Sequence, residues 1–275
     1  MTPYVPHKIH SLIRSARRIP LFENFLRARY EQEFATAREA NLFRGIFGST
    51  AEAAASAPAG LALGYDHPDP ASLYRERLVQ IYPTDYPVLF WLKHILGDVR
   101  TVFDLGGHVG VARYAYDRYL DFPDGLKWEV CDVPAVVEEG RKLALEKGVG
   151  GLSFTTERGN ASSVDLYHAA GVLQYLEEPL PGMLAALAAK PRHVLINLCA
   201  FTDREPFVTL QNIGTAFCPY VIHRKADVFA GMDKLGYRLV DEWTNPGKSC
   251  SLPLDADRSL PHYVGAYFTR ADAPV

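Results

Sequence analysis

Thr101-Val102-Phe103-Asp104-Leu105-Gly106-Gly107-His108-Val109-Gly110 decides the reading of this chain. Residues 101–105 are β-branched or apolar apart from Asp104, and the run is short enough for one buried parallel strand. Gly106 and Gly107 let the backbone turn sharply and pass close to a ligand. Val109, Ala112, Ala115 or Tyr116, and Tyr119 recur at helical spacing, which predicts a helix after the turn. Strand, glycine turn and helix form the ligand-facing corner of a nucleotide-binding α/β sheet, where the helix start offers free N–H groups and the positive end of its dipole. An ordinary tight turn between strand and helix is the plain alternative.

Charge narrows the ligand. A dinucleotide site uses Gly-x-Gly-x-x-Gly so that backbone can lie against a pyrophosphate. Here the glycines are Gly106, Gly107 and Gly110, and His108 stands where the second fingerprint glycine would be. Asp104 at the strand end would repel a pyrophosphate and suits a ligand with a cationic amino group. S-adenosylmethionine brings an ammonium, a carboxylate and a sulfonium, and no phosphate. Residues 127–132 then read as a second short strand that ends in a carboxylate, one βαβ unit of roughly 30 residues further on. Asp132 there can accept both hydroxyls of a ribose. Capping the helix that opens at Pro134 is its second reading.

Phe103-Asp104-Leu105-Gly106-Gly107 and Cys131-Asp132-Val133-Pro134-Ala135-Val136-Val137 together resemble the class I S-adenosylmethionine-dependent methyltransferases, with a flavour of the small-molecule O-methyltransferases. From about Leu42 to Thr269 the chain more closely resembles a bacterial family of methyltransferases. The blocks that carry this likeness are residues 82–91 (YPTDYPVLFW), 106–110 (GGHVG) and 209–220 (TLQNIGTAFCPY). The resemblance implies a Rossmann-like α/β fold of seven mostly parallel strands, the last inserted antiparallel. It places Gly106, Gly107, Gly110, Asp104, Asp132, Val133 and Gln174 around the cofactor S-adenosyl-L-methionine. Asn160 takes the place of an aspartate that meets the adenine amino group in related enzymes, and a loop turn is its other reading. Residues 82–91 would lie over the cofactor mouth, with Tyr86 lining the substrate site. The histidine that follows the fourth strand in small-molecule O-methyltransferases is replaced here by Gln174 and Tyr175.

Length and composition agree. The chain has 275 residues, 48% of them apolar, enough for one α/β domain with a sizeable core and an additional segment. A net charge of −3 gives no reason to expect a nucleic-acid partner. No apolar run is long enough to span a bilayer, and the N-terminus has no apolar signal core. Cys131, Cys199, Cys218 and Cys250 show neither metal nor redox spacing, so the expectation is a reduced, cytoplasmic protein without a metal.

The chain divides into an N-terminal helical extension and cap, residues 1–98, and an S-adenosylmethionine-binding domain, residues 99–275. Residues 7–45 carry apolar positions at helical spacing, from Ile9, Leu12 and Ile13 to Tyr30 and Phe34, interrupted by Pro20, with a basic face. A helical cap, a homodimerisation arm and a membrane-surface helix all fit this pattern. A short alanine helix is expected within 49–60, a turn-rich link at 64–70, and a broken helical region at 72–97. Further strands are predicted at 152–155, 164–169, 193–198, 237–243 and 262–269, with helices at 179–189 and 225–235. Such alternation implies a mostly parallel sheet covered on both faces, with its ligand beyond the carboxyl ends of the strands.

Methyl transfer from a sulfonium requires alignment of donor and nucleophile, and an alcohol acceptor must also lose its proton. His108 leads as the base, with a bond to backbone or cofactor as its other reading. Residues 201–224 have no evident periodicity and read as a long substrate loop, bringing Gln211, Asn212 and Tyr220 to the acceptor and His223 as a second base. Gln211-Asn212 ahead of Gly214 also makes a plain turn. His168, within a strand, reads as a core histidine. Three functions follow: methyl transfer to oxygen or nitrogen of a small polar molecule such as a sugar or secondary metabolite; nicotinamide-linked oxidoreduction, which His108 argues against; and a catalytically silent binding or assembly module.

Overall fold

The computed structural model describes residues 20–38, 41–64 and 76–270. The amphipathic stretch 7–19 and most of the link at 64–70 lie outside the described residues. The elements in chain order are α1 (Pro20–Thr36), β1 (Leu42–Phe47), α2 (Thr50–Ala55), β2 (Ala62–Leu63), α3 (Tyr86–Ile95), β3 (Thr101–Leu105), α4 (Val111–Tyr116), β4 (Lys127–Cys131), α5 (Pro134–Lys147), β5 (Leu152–Thr155), β6 (Leu166–Ala170), α6 (Leu180–Ala185), β7 (His193–Cys199), β8 (Phe201–Thr202), β9 (Phe207–Asn212), β10 (Ala216–Arg224), α7 (Lys225–Lys234), β11 (Tyr237–Asn245) and β12 (Tyr263–Arg270).

Seven strands form the main sheet in the order β11-β12-β7-β6-β3-β4-β5. The five from β7 to β5 run parallel, and β12 is inserted antiparallel between β7 and β11. This is the Rossmann-like, mostly parallel sheet expected from the sequence, including its reversed last strand. Both faces of the central strands β3, β6 and β7 are covered, so these strands are mostly apolar. Phe103, Leu105, Tyr167, Ala169, Val194 and Ile196 pack against Leu184, Met183, Val228 and Met232 of α6 and α7. Val102, Trp128, Val130, Leu166 and Leu195 pack on the opposite face against Val88 and Leu92 of α3 and Ala115 and Tyr116 of α4. Each large side chain buried this way contributes about 1.5–3 kcal/mol. Trp91 locks α3 to the sheet: its Nε1–H donates to Asp241 Oδ2 at 2.8 Å, and its ring lies 4.7 Å from that of Tyr267.

A second, smaller sheet has the order β1-β9-β10-β2, with β8 also pairing with β10. It corrects two expectations. Residues 42–45, read with the N-terminal helical stretch, belong to β1, which runs antiparallel to β9. Residues 201–224, read as a loop, contain the β9–β10 hairpin. Every position of β9 is buried, because both faces of this sheet are covered. Val208, Leu210, Phe217 and Val221 face Phe34 of α1 and Ala53 of α2. Phe207, Tyr220 and Ile222 face Cys250, Leu252 and Tyr263. With both faces buried, no alternation survives in the sequence to mark the strands.

Candidate active site

The glycine turn joins β3 to α4. Gly106, at φ +67°, reverses the chain, and its N–H donates to Cys131 O at 2.8 Å, which ties the turn to the end of β4. Val172, just beyond β6, stands against Gly106: a Cβ there would lie 2.5 Å from Val172 Cβ. A Cβ on Gly107 would lie 2.3 Å from Asp104 Oδ2. Close approach therefore demands both glycines, and conformation demands Gly106 as well. His108 adopts φ +57°, uncommon for a side-chain-bearing residue. Its N–H donates to Asp132 Oδ2 at 2.9 Å. The N–H of Gly110 returns to Gly107 O at 3.0 Å and closes the turn.

Asp132 stands half-buried just beyond β4, and its Oδ1 accepts the Val133 N–H at 2.8 Å. Val133, not Asp132, occupies the capping position of α5, so the carboxylate braces the glycine turn instead of capping the helix. A carboxylate oxygen can accept more than one donor, so bracing the turn and meeting a ligand are compatible roles. Asp104 behaves differently and corrects an expectation. Its side chain is enclosed, 1% exposed. Oδ2 accepts the indole N–H of Trp128 at 3.0 Å, and Oδ1 lies 2.8 Å from His168 Nδ1. Strand register is the cause: β3 pairs Asp104 with Val130 on one side and His168 on the other, and all three point to the α3–α4 face beneath the turn. Two hydrogen bonds offset the cost of enclosing the charge.

The tips of β6 and β7 lie on the other side of β3 from β4. Residues 173–175 form one 3₁₀ turn after β6. Gln174 is 4% exposed, and its Oε1 has no hydrogen-bond partner among the described residues. Asn197, fully enclosed, donates through Nδ2 to Thr84 O at 2.9 Å and accepts at Oδ1 from Trp243 Nε1 (3.0 Å) and Asn245 Nδ2 (2.9 Å). It thereby holds the segment before α3 across the strand tips. His223 lies on β10, and its Nε2–H donates to Leu176 O at 3.3 Å. Burial lowers the pKa of this imidazole, which favours its neutral form.

The residues expected to meet the acceptor are dispersed. Gln211 accepts the Tyr175 O–H at 2.8 Å and donates to Asn41 Oδ1 at 3.3 Å. Asn212 donates to Phe34 O (2.6 Å) and Ala37 O (3.1 Å) and accepts the Gly214 N–H (2.6 Å), so its whole amide is consumed in fixing α1 to the hairpin. Tyr220 is buried with its hydroxyl 2.8 Å from that of Tyr263. These three hold the second sheet together; they belong to a hairpin and not to a substrate loop. Tyr86 opens α3 at the surface, 59% exposed. Asn160 is exposed, and its Nδ2 donates to Thr155 Oγ1 at 3.3 Å; the Thr155 carbonyl in turn accepts the Asp132 N–H. Gly106, Gly107, His108, Gly110, Asp132, Val133 and Asn160 thus gather around the tips of β3, β4 and β5, and Gln174 follows the tip of β6. Sequence reasoning missed Trp128, Thr84 and the role of Asn197, and placed His168 apart from Asp104. Aligning the ends of the two predicted strands would have set Asp104 beside His168.

The site is thus a glycine turn and a half-buried carboxylate at adjacent strand tips of an α/β sheet. No family model matches the chain, and no curated protein matches it. Solved structures do. The 1,6-didemethyltoxoflavin-N1-methyltransferase of Burkholderia thailandensis, with bound 1,6-didemethyltoxoflavin and S-adenosylhomocysteine, is 16% identical over 69% of this chain and 79% of that chain, with a TM-score of 0.46. The magnesium protoporphyrin IX methyltransferase of Synechocystis PCC 6803, with bound S-adenosylmethionine, is 16% identical over 68% and 78%, with a TM-score of 0.43. The mitomycin 7-O-methyltransferase MmcR is 20% identical with a TM-score of 0.41, and this chain, matched over 64% of its own residues, spans 50% of that one.

Proposed function

We propose that this chain is an S-adenosylmethionine-dependent methyltransferase acting on oxygen or nitrogen of a small polar molecule. One observation carries the reading. Asp132, at the tip of the strand beside the glycine turn, is held in place by the N–H groups of His108 and Val133 and stands half-buried at the edge of the crevice. A carboxylate fixed in this way fits a ribose diol, which needs two acceptor oxygens in set positions. Glycine at 106 and 107 lets the turn lie tight against Val172 and Asp104, where a Cβ on either residue would collide. When bound, the sulfonium of the cofactor supplies an electrophilic methyl group.

The chain's own residues do the rest. Asp132 fixes the sugar, the glycine turn sets the depth of the nucleoside, and the buried Asp104–His168–Trp128 network keeps that turn from shifting. The gain is alignment, the main requirement of an in-line displacement. One arrangement favours the alternative of a silent binding module: His223, a candidate base, directs Nε2 to a backbone carbonyl. Calorimetric titration with S-adenosylhomocysteine tests the reading. We expect micromolar binding, weakened about tenfold or more in Asp132→Ala, a loss of roughly 1.4 kcal/mol. No heat with either S-adenosylmethionine or its demethylated product would sink it.

A further inference from the structure

Of the ten large apolar side chains exposed among the described residues, four fall within residues 79–90: Val79, Tyr82, Tyr86 and Phe90, between 36% and 63% exposed. Exposed apolar residues scattered singly need no explanation; a cluster does. Tyr86, Phe90 and Lys93 follow one another in α3 at spacings of four and three, so they share one face. Val88, Leu92 and Ile95 are buried against the sheet on the other side of the helix. α4 packs on the same side of the sheet as α3, so the exposed Arg118 and Tyr119 just beyond it belong to the same outer surface. Cations border the aromatic rings. The Arg77 guanidinium lies 5.3 Å over the Tyr82 ring, and Arg118 Nη1 donates to Val79 O at 3.5 Å. Lys93 makes no ion pair among the described residues. Carboxylates that touch this layer are committed: Asp85 accepts the Tyr82 N–H (2.8 Å) and the Tyr116 O–H (3.3 Å), Asp117 pairs with Arg113 (2.7 Å), and Asp241 holds Trp91. Asp98, past the end of α3, is the acidic group left open. A chain of net charge −3 thus carries one surface that is aromatic and locally basic.

We propose that this face docks on an anionic lipid bilayer. Tyrosine and phenylalanine rings settle in the headgroup region, where an apolar body and a polar tip are both satisfied. Each Lys or Arg held near a negatively charged leaflet adds attraction. A bilayer asks for no shape complement, only apolar side chains framed by cations, and Arg77, Tyr82, Tyr86, Phe90, Lys93 and Arg118 supply both. The support is firm: Trp91 ties α3 to Asp241 of β11, and Asn197 holds Thr84 O at 2.9 Å. Because Asn197 stands at the end of β7, the docked face adjoins the carboxyl edge of the main sheet. Docking needs no cofactor and so stands apart from the methyltransferase reading. The basic, apolar sequence of residues 7–19 is a rival anchor in the same chain, and the test separates the two.

Co-sedimentation of the full chain with sucrose-loaded vesicles tests this. One set is phosphatidylcholine alone; the other carries about 30% phosphatidylglycerol. We expect binding to the anionic set, about tenfold weaker on phosphatidylcholine alone and again when salt is raised to about 0.5 M. Tyr86→Ser/Phe90→Ser and Arg77→Glu/Lys93→Glu should each weaken partitioning about tenfold while keeping the wild-type circular dichroism. Leu63→Ser, exposed on the second sheet, should bind as wild type. If a double variant fails to fold, the single changes Tyr86→Ser and Lys93→Glu at the surface of α3 carry the same expectation. Wild type that ignores anionic vesicles overturns the proposal. So does equal binding to both vesicle sets. Vesicle binding that survives both double variants would move the anchor to residues 7–19 and overturn it too. A dimer in sedimentation velocity that Tyr86→Ser/Phe90→Ser splits, with no vesicle binding, would give the face to a second copy of the chain instead.

Discussion

At position 107 a single methyl group would press on a buried carboxylate. Gly107→Ala would set its Cβ 2.3 Å from Asp104 Oδ2, an atom that cannot retreat without losing the Trp128 indole N–H. We expect a loss of about 1–3 kcal/mol in urea unfolding, together with altered Trp128 emission. A Gly107→Ala variant as stable as wild type would show that Asp104 is free to move. Asp104 also marks how far single residues can be read. Its identity, its strand-end position and its neighbouring glycines were legible. The direction of its side chain was not, because a shift of one residue in strand register moves a side chain to the other face, and register is set by neighbouring strands far away in sequence. Asp132 was legible in place, because it lies past the end of its strand, at the carboxyl edge of the sheet.

Among the elements, the segment before α3 depends on one side chain. Asn197 joins Thr84 to β11 by three hydrogen bonds from an enclosed position. Asn197→Ala leaves the Thr84 carbonyl, the Trp243 indole N–H and the Asn245 amide without that partner. We expect a loss of about 2–4 kcal/mol and faster amide exchange across residues 82–86, read by hydrogen–deuterium exchange mass spectrometry. Exchange there equal to wild type would mean that the packing of α3 alone holds the segment. The parallel strands of the main sheet were legible because each is a short apolar run bounded by turn residues. Strands β1, β9 and β10 were not. Arg44 and Gly45 interrupt β1, with a bulge between Arg44 and Phe47, and the hairpin carries polar Thr209, Gln211 and Asn212 in enclosed positions where their partners come from other elements. Polar residues that find buried partners imitate a loop in sequence.

Across the whole molecule, acid should act through His193. This imidazole, at the start of β7, lies 2.8 Å from the Tyr267 hydroxyl, and burial pulls its pKa down from 6.5 to about 4. Above pH 6.5 both folded and unfolded states are neutral there; as the pH falls toward 4, the unfolded state gains a proton that the folded state refuses. Stability should drop by about 2 kcal/mol between pH 7 and pH 5, and His193→Gln should flatten that slope in urea unfolding at the two pH values. An unchanged slope would assign the acid sensitivity elsewhere. No described helix is long and apolar enough to cross a membrane. The amino-acid sequence by itself determined the main sheet, the glycine turn and the carboxylate at the second strand tip, since apolar runs, glycines and strand-end charges act over a few residues. Only the tertiary structure decided that Asp104 is sealed beneath the turn, that residues 201–224 build a second sheet, and that Gln174 is left with an unmet acceptor. Each of those outcomes depends on which distant strand lies alongside, and that is settled by the packing of the whole chain.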